Sequence, residues 1–241
     1  MDVVEILPQL RFIRFPVGHA YLWLDRDGLT LIDCGLPGSA PLIADAIRQA
    51  GYQPKDLRQL VLTHFHVDHI GAAADIADWG EVEVVAHHAD APFIRAGAVG
   101  PGPDLADWER PIHDQVMSQL PAGAAAVTPP RIDREIRDGD ELGFGDGAVA
   151  VAVPGHTPGS VALYLPRHRV LFTGDTVARR GDGKVICGVF NVDRAQAADS
   201  FRRLADLDVA IACFGHGEPL TRDAAAEMQA AAQQLHTPDS R

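Results

Sequence analysis

The sequence predicts an α/β (α+β) protein in which helices cover two central sheets. Short apolar runs of strand length recur along the chain and alternate with segments of helical periodicity. Strands dominate the start of each half and helices close it, so we expect two similar halves. No linker of distinct composition separates them, and 241 residues that are 46% hydrophobic suffice for one large core. We therefore predict a single domain over residues 1–241, because flanking helices are the simplest cover for the apolar faces of two sheets.

The first half begins with apolar runs that are separated by turn residues, a pattern typical of strands joined by hairpins. The segment Asp25–Gly28 is the clearest hairpin turn. Ser39 and Gly51 bound a helix, the first as its N-cap and the second as its stop. The predicted strands are Leu10–Phe15, Ala20–Leu24, Leu29–Ile32, Gln59–Leu62 and Val82–Ala86, and the predicted helices are Ser39–Ala50, Ile70–Ala77 and Ala89–Ala96.

Regularity falls between Gly97 and Pro130, where glycine, proline and alanine accumulate. A long irregular insertion in a compact domain is usually a lid or a binding loop, so we predict a lid at about residues 97–130. A helical piece is expected inside it, near Trp108–Leu120. The second half then contains the predicted strands Ala148–Val153, Val161–Leu165, Val170–Thr173 and Val209–Phe214, and the predicted helices Arg194–Ala205, capped by Asp193, and Arg222–Leu235.

The acidic composition limits the partners that the protein is expected to have. Its formal net charge is -12, which repels nucleic-acid phosphates and anionic lipid surfaces. The first residues lack the basic start of a signal peptide, and no run approaches the ~18 apolar residues of a membrane span. Three cysteines without CxxC spacing suit a reducing cytoplasm. We expect a cytoplasmic protein that acts on a small molecule, either as a monomer or as a homodimer.

The segment Thr63–His69 (THFHVDH) carries the strongest chemical signal. It follows the apolar strand that ends at Leu62, and in an extended chain His64 and His66 point to the same side. Asp68 and His69 come where the chain turns into the next helix. Packing alone gives no reason for three imidazoles and a carboxylate within six residues, whereas two metal ions could use all four groups. The segment therefore predicts a metal site.

Three further candidate ligands follow predicted strands in the second half. They are His156, Asp175 and His216, and each stands beside a glycine that allows a sharp turn. The carboxyl ends of strands form the edge at which sites assemble in sheets of this kind. Taken singly, each of the three is more simply explained as a cap or a satisfied polar group. Together with the preceding segment, they complete a set of seven candidate ligands.

Five motifs in a fixed order resemble the metallo-β-lactamase-fold superfamily along nearly the whole chain. They are LIDCG at Leu31–Gly35, THFHVDHIGA at Thr63–Ala72, PGHTPGS at Pro154–Ser160, FTGDT at Phe172–Thr176 and FGHGEP at Phe214–Pro219. The resemblance implies a four-layer αββα sandwich, the metallo-β-lactamase fold, with the metals at one edge between the sheets. The complete HxHxDH segment with an aspartate at position 175 looks more like the glyoxalase II and lactonase branches than like many zinc β-lactamases.

The resemblance also implies a role for each ligand. One metal would be held by His64, His66 and His156, the other by Asp68, His69 and His216, and Asp175 would bridge them. Asp33 would orient a ligand without binding metal, although a plain turn residue is nearly as good an explanation. Two zinc ions are expected, with iron or manganese as alternatives.

The same resemblance implies a zinc-dependent hydrolase in which a metal-bridging hydroxide attacks an acyl carbonyl. Asp68 is the expected catalytic residue, since it could relay a proton to the leaving group. The expected substrate is a carboxylic ester, a thioester or a lactone. An iron-dependent enzyme similar to persulfide dioxygenases, a β-lactamase-like amide hydrolase and a binding protein with a degenerate site are the alternatives.

Three residues outside the ligand set are candidates for substrate contact. His19 precedes the strand Ala20–Leu24, Trp108 lies in the insertion, and Arg179 follows Asp175 closely enough to attract a carboxylate. Each has a simpler explanation. These are a turn histidine for His19, a buried anchor of the loop for Trp108, and a solvated charge for Arg179.

Overall fold

The computed structural model describes residues 2–119 and 127–235, so positions 120–126 of the predicted insertion lie outside the described residues. The strands are β1 (Asp2–Leu7), β2 (Leu10–Arg14), β3 (Ala20–Asp25), β4 (Gly28–Ile32), β5 (Leu57–Leu62), β6 (Glu83–His87), β7 (Arg134–Ile136), β8 (Glu141–Leu142), β9 (Ala148–Ala152), β10 (Val161–Leu165), β11 (Val170–Phe172), β12 (Val177–Arg179), β13 (Val185–Cys187) and β14 (Ile211–Cys213). The helices are α1 (Ala40–Gln49), α2 (Val67–Ile70), α3 (Ala73–Ala77), α4 (Ala91–Arg95), α5 (Arg110–Gln119), α6 (Arg194–Ala205) and α7 (Ala224–Gln233), with a 3-10 turn at Pro54–Asp56. No described helix combines the length and the apolar character that crossing a bilayer requires.

The strands form two large sheets and one small one. The first sheet has the order β1-β2-β3-β4-β5-β6-β7, antiparallel from β1 to β4 and parallel from β4 to β7. The second has the order β14-β11-β10-β9-β8, with β14 parallel to β11 and the other pairs antiparallel. Strands β12 and β13 form an antiparallel pair of their own. Because β5, β9, β11 and β14 all precede predicted ligands, this topology decides where those ligands lie.

The two large sheets pack face to face, because side chains alternate between the two faces of each strand. In β3, Tyr21 and Trp23 belong to the cluster between the sheets, whereas Leu22 belongs to the cluster on the outer face. The second sheet adds Leu163 and Phe172 to the inner cluster. All five side chains are almost completely buried. This inner cluster is the core that joins the two sheets.

Helices cover the outer face of each sheet. On the first sheet, Ile43 of α1 and Ile94 of α4 share a buried cluster with Leu60 of β5. On the second sheet, Phe201 of α6 and Met228 of α7 share another cluster with side chains of β10 and β11. The layers therefore run helix, sheet, sheet, helix. The predicted αββα sandwich is confirmed.

Most predicted elements are present, with small shifts at their ends. Helix α6 has the predicted bounds, and the side chain of Asp193 accepts the Gln196 N–H at 2.9 Å as its cap. Ser39 occupies the predicted N-cap position of α1, but the predicted capping hydrogen bond was wrong, since the Ser39 side chain makes none. Pro41 stands in the first turn of α1 instead, where its fixed φ favours a helix start.

The predicted helix Ile70–Ala77 is broken into α2 and α3 around Gly71. The Gly71 N–H donates to the carbonyl of Gly35 at 2.9 Å, which ties the break to the loop after β4. A Cβ at Gly71 would collide with the backbone of Leu36 and Pro37. Helix α2 also begins earlier, at Val67, so that Asp68 and His69 lie in its first turn.

Five strands were missed by the sequence analysis, and each lacks the pattern on which strand prediction depends. Strand β1 leaves three of its six residues exposed and includes charged Asp2 and Glu5, as edge strands often do. The other four, β7, β8, β12 and β13, are only two or three residues long. Runs this short show no recognisable alternation.

The close approach at Gly71 gives a test of the packing beside α2. We expect Gly71→Ala to lower the free energy of unfolding by about 1–3 kcal/mol, because the added methyl group must displace backbone. The matched control is Gly143→Ala, since a Cβ there meets nothing within 4 Å. That control should change stability by less than ~0.5 kcal/mol. Chemical denaturation of both variants measures the difference, and equal stability of the two would contradict this account.

Candidate metal centre

The first four predicted ligands follow β5 without a break. The chain is still extended at His66, with φ -67° and ψ 148°, and α2 begins at the next residue. His64 and His66 therefore leave the extended stretch, whereas Asp68 and His69 leave the first turn of the helix. This change from extended chain to helix lets one short segment surround two neighbouring positions.

The other three predicted ligands leave the second sheet. His156 follows β9, Asp175 follows β11, and His216 follows β14. Strands β11 and β14 are parallel neighbours, so Asp175 and His216 leave the same edge of the sheet. The structure thus brings all seven candidate ligands to one place between the sheets.

The first ligand group consists of His64, His66 and His156. The Nδ1 atom of His66 lies 3.1 Å from His64 Nε2 and 2.9 Å from His156 Nε2. Both His64 and His156 are almost completely buried, and His66 is half-buried. Three imidazole nitrogens therefore face one common point that is largely shielded from solvent.

The second ligand group consists of Asp68, His69 and His216. Asp68 Oδ2 lies 3.2 Å from His216 Nε2 and 3.7 Å from His69 Nε2. This group is more open than the first, because the side chain of His216 is 40% exposed. A small molecule can therefore reach it from solvent.

Asp175 lies between the two groups. Its Oδ2 atom is 3.5 Å from His156 Nε2 and 3.2 Å from His216 Nε2, and its Oδ1 atom is 3.3 Å from His69 Nε2. One carboxylate thus faces nitrogens of both groups. That is the position the resemblance implies for a bridging ligand.

Two buried atoms show that the donor set fits cations. His69 Nε2 and Asp175 Oδ1 have no hydrogen-bond partner among the described residues, although buried polar atoms are nearly always bonded. Beside them, a Cβ at Gly215 would collide with Asp175 Oδ1. Imidazole nitrogens and carboxylate oxygens are suitable ligands for zinc and related divalent metals. The donor set of the two groups therefore fits divalent cations better than it fits a hydrogen-bonded core.

Burial keeps the imidazoles of the first group neutral. It lowers the pKa of His64 and of His156, and it lowers the pKa of His66 to about 3. A neutral imidazole retains a lone pair on one ring nitrogen. These three side chains are therefore ready to bind a cation without first losing a proton.

The second group differs in its protonation. Burial again disfavours the charged form of His216, but the carboxylates of Asp175 and Asp68 together outweigh burial and raise the pKa of His216 to about 10. The pKa of His69 is also raised above its usual value against burial, by the carboxylates of Asp175, Asp68 and Asp33. Without metal, both imidazoles hold protons that a cation must displace.

Asp33 contacts His69 of the second group on the ring edge that carries Nδ1. Its Oδ2 atom lies 2.8 Å from His69 Nδ1 and accepts the Thr63 hydroxyl at 2.8 Å. Its Oδ1 atom accepts the Thr63 N–H at 2.8 Å. Asp33 also has φ 57°, a turn conformation, so it is a turn residue and a hydrogen-bond partner of His69 at the same time. Because Nδ1 of His69 is bonded to Asp33, Nε2 is the nitrogen left for a metal.

Two buried polar residues beside the ligands were missed by the sequence analysis. Asn191 Oδ1 lies 3.3 Å from His156 Nδ1, and the Asn191 amide donates to the carbonyl of Gly188 at 2.6 Å. Asp90 accepts hydrogen bonds from the loops on either side of the first group. Both residues stand outside any motif, and no local spacing distinguishes a buried polar side chain from an exposed one.

The three predicted substrate contacts lie in different surroundings. His19 is 9% exposed and its ring centroid is 6.4 Å from that of His216. Trp108 is 61% exposed, so the alternative of a buried loop anchor was wrong. The guanidinium of Arg179 donates to the carbonyl of Gly183, while its backbone N–H donates to the carbonyl of His216. Arg179 thus holds the loop of His216 through its backbone.

Comparisons with known proteins agree with this geometry. A family model described as the metallo-beta-lactamase superfamily matches residues 13–216. The chain is 30% identical over 203 residues to "Probable metallo-hydrolase YflN" of Bacillus subtilis strain 168, over 79% of this chain and 76% of that protein. It is 27% identical over 200 residues to the hydroxyacylglutathione hydrolase of Rhodobacter capsulatus, over 82% of this chain and 61% of the relative. A metallo-beta-lactamase family protein from Thermus thermophilus shares the fold, with a TM-score of 0.71 at 23% identity over 95% of this chain and 79% of the other.

The raised pKa values of the second group predict proton release on metal binding. When zinc is added to metal-free protein at pH 8, we expect His216 and His69 to lose their protons, whereas the neutral first group contributes none. The His216→Ala variant should therefore release about one proton fewer than the wild type. Calorimetric titrations in buffers of different ionisation enthalpy measure this difference. Equal proton release by the two proteins would contradict the assignment.

Proposed function

Because this chain belongs to the metallo-beta-lactamase superfamily as a metallo-hydrolase, we propose that it cleaves a carboxylic ester, a thioester or a lactone of a small molecule. The observation that supports this most directly is the pair of ligand groups with Asp175 between them, one shielded and one open to solvent. The resemblance to a hydroxyacylglutathione hydrolase favours an acyl thioester among the three substrate classes.

Each ligand group would hold one divalent cation, and we propose zinc for both. His64, His66 and His156 would hold the first and Asp68, His69 and His216 the second, while Asp175 would serve both. Two cations bound there would polarise the acyl carbonyl and lower the pKa of a shared water molecule toward neutrality. The protein's part is to present seven ligand atoms at fixed positions, with His69 oriented by Asp33 and His156 by Asn191.

Asp68 is the residue that we propose moves a proton. Burial opposes its ionisation, but His69 and His216 outweigh burial and hold the pKa of Asp68 below its usual value. Asp68 is therefore a carboxylate at neutral pH, and its side chain is 15% exposed beside the open group. A carboxylate in this place can accept a proton from the attacking water and pass it to the leaving alcohol or thiol.

The Cys34 thiol and the Ser160 hydroxyl, which lie near the site, form hydrogen bonds within the fold. The Cys34 thiol is buried and donates to the carbonyl of His69 at 3.1 Å, and burial raises its pKa well above the usual value. The Ser160 hydroxyl is buried and bonded to the hydroxyl and the N–H of Thr157. This favours direct attack by water over a covalent acyl-enzyme.

The insertion crosses beside the first ligand group, and we propose that it forms one wall of the substrate site. A Cβ at Gly100 would collide with the ring of Phe65, and the Asp104 N–H donates to the carbonyl of Asn191 at 2.9 Å. Five of the seven large apolar side chains that are exposed in the described residues lie in this segment. They are Val99, Trp108, Ile112, Val116 and Met117. An apolar acyl group would find partners there.

The proposed activity is tested by offering zinc-loaded protein a set of esters, thioesters, lactones and β-lactams. We expect hydrolysis of at least one acyl substrate, and His66→Ala should lower kcat/KM by roughly a thousand-fold, which corresponds to about 4 kcal/mol of transition-state stabilisation. His168→Ala is the matched control, because His168 pairs with Asp146 and Gln9 outside the ligand set. Unchanged turnover by His66→Ala, or iron content with oxygen consumption in place of hydrolysis, would refute the proposal.

The proposed wall makes a separate prediction about substrate preference. Trp108→Ala should raise KM for substrates with long apolar acyl groups by about 3- to 10-fold, while short acyl groups and kcat should change little, since the contacts removed stabilise the bound substrate and the transition state equally. Val4→Ala is a suitable control, because Val4 is 39% exposed on β1. A loss that is independent of acyl length would contradict a role for Trp108 in binding the acyl group.

A further inference from the structure

Asp90 is a buried carboxylate that the proposed reaction does not use. It lies between β6 and α4 and has no solvent exposure. Buried carboxylates are rare unless they are paired with a cation or fully hydrogen-bonded, so the partners of Asp90 show what it does in the fold. Those partners belong to neither β6 nor α4.

Asp90 accepts three hydrogen bonds from two separate loops. Its Oδ2 atom accepts the Phe65 N–H at 3.1 Å and the Thr157 hydroxyl at 2.6 Å, and its Oδ1 atom accepts the Gly159 N–H at 2.6 Å. Phe65 stands between His64 and His66 in the chain, and Thr157 follows His156. A single carboxylate therefore connects the two loops that carry the first ligand group.

The two loops come from different sheets, so their separation is not set by strand pairing. His64 and His66 follow β5 of the first sheet, whereas His156 follows β9 of the second. A metal site tolerates errors of only about 0.5 Å in its ligand positions. A link between the two loops is therefore needed close to the ligand atoms themselves, where His66 Nδ1 and His156 Nε2 lie 2.9 Å apart.

The loop of His156 is shaped to receive Asp90. A Cβ at Gly159 would collide with the Asp90 N–H group and would lie 2.7 Å from Asp90 Oδ1. Only glycine allows this approach, which gives a physical reason for the last glycine of PGHTPGS. Ser160 supports the same arrangement, since its hydroxyl lies 2.7 Å from that of Thr157. The contact is thus built from both sides.

We propose that Asp90 is a positioning residue for the first metal, which holds the loop of His64 and His66 and the loop of His156 at the separation that lets three imidazoles bind one cation. This proposal rests on the proposed metal centre. It assigns to Asp90 no contact with substrate or metal. Removing the carboxylate should loosen one ligand group and leave the other intact, because Asp33 rather than Asp90 holds His69 of the second group.

The test compares zinc binding by wild-type protein, Asp90→Asn and Thr157→Val at pH 8, using competition with a chromophoric chelator. Asparagine replaces one acceptor oxygen with a donor, so at least one of the three N–H or O–H groups loses its partner. We expect Asp90→Asn to lower the affinity for one of the two zinc ions roughly 10- to 100-fold and to leave the affinity for the other unchanged. Thr157→Val removes only one hydroxyl and should cause a smaller loss at the same ion.

Asp133→Asn is the matched control, because Asp133 also accepts a backbone N–H, from Val84 at 2.9 Å, but touches neither ligand loop. It should bind both ions with wild-type affinity. Wild-type affinity for both ions in Asp90→Asn would overturn the role of Asp90 alone. An equal loss of affinity for both ions, together with lower stability of the metal-free protein, would overturn it as well. A wild type that binds fewer than two ions would overturn the metal centre itself and this proposal with it. If Asp90→Asn does not fold, Thr157→Val decides the matter by the same criterion.

Discussion

The arrangement of the site depends on one carboxylate, that of Asp175, which is placed among buried imidazoles. It lies within 3.5 Å of ring nitrogens from both ligand groups, and one of its oxygens has no hydrogen-bond partner among the described residues. A buried charge of this kind is costly unless opposite charge surrounds it. In metal-free protein, His69 and His216 supply that charge by holding protons. Cations would supply it without them, so the fold is prepared for metal by the same electrostatics that raise these pKa values.

A second level of contacts decides the orientation of each ligand. Asp33 bonds Nδ1 of His69, Asn191 lies against Nδ1 of His156, and Thr63 lies 3.0 Å from Nδ1 of His64. In each case the contact leaves Nε2 free to face the centre. His66 is the exception, since it presents Nδ1 to its neighbours. The HxH spacing therefore yields two histidines that face one point through different nitrogens.

The ligand set could be predicted from the sequence because its signal is local. Four candidate ligands lie within six residues, and that spacing alone predicts a metal site. The other three follow apolar strands beside glycines, and the resemblance of the motifs around them to a known family gave them their place in the set. Asp90 and Asn191 could not be found in this way. Their role depends on loops that meet only in the folded chain, and an isolated aspartate or asparagine reads as a turn residue. The same reasoning explains the fold: strands with a buried alternating face were predicted, whereas the exposed edge strand β1 and the very short β12 and β13 follow from tertiary pairing.

The two ligand groups differ in burial, so the site is accessible to solvent from one side. The side chains of His64 and His156 are 1% and 3% exposed, whereas that of His216 is 40% exposed. The insertion approaches the shielded group through Phe65 and Asn191, and the open group is flanked by His19. A substrate of the proposed reaction would therefore enter over His216 and Asp68, with its acyl part toward the insertion and its leaving group toward the open side. This orientation would place the departing alcohol or thiol next to Asp68, a carboxylate that is ionised at neutral pH and 15% exposed beside the open group.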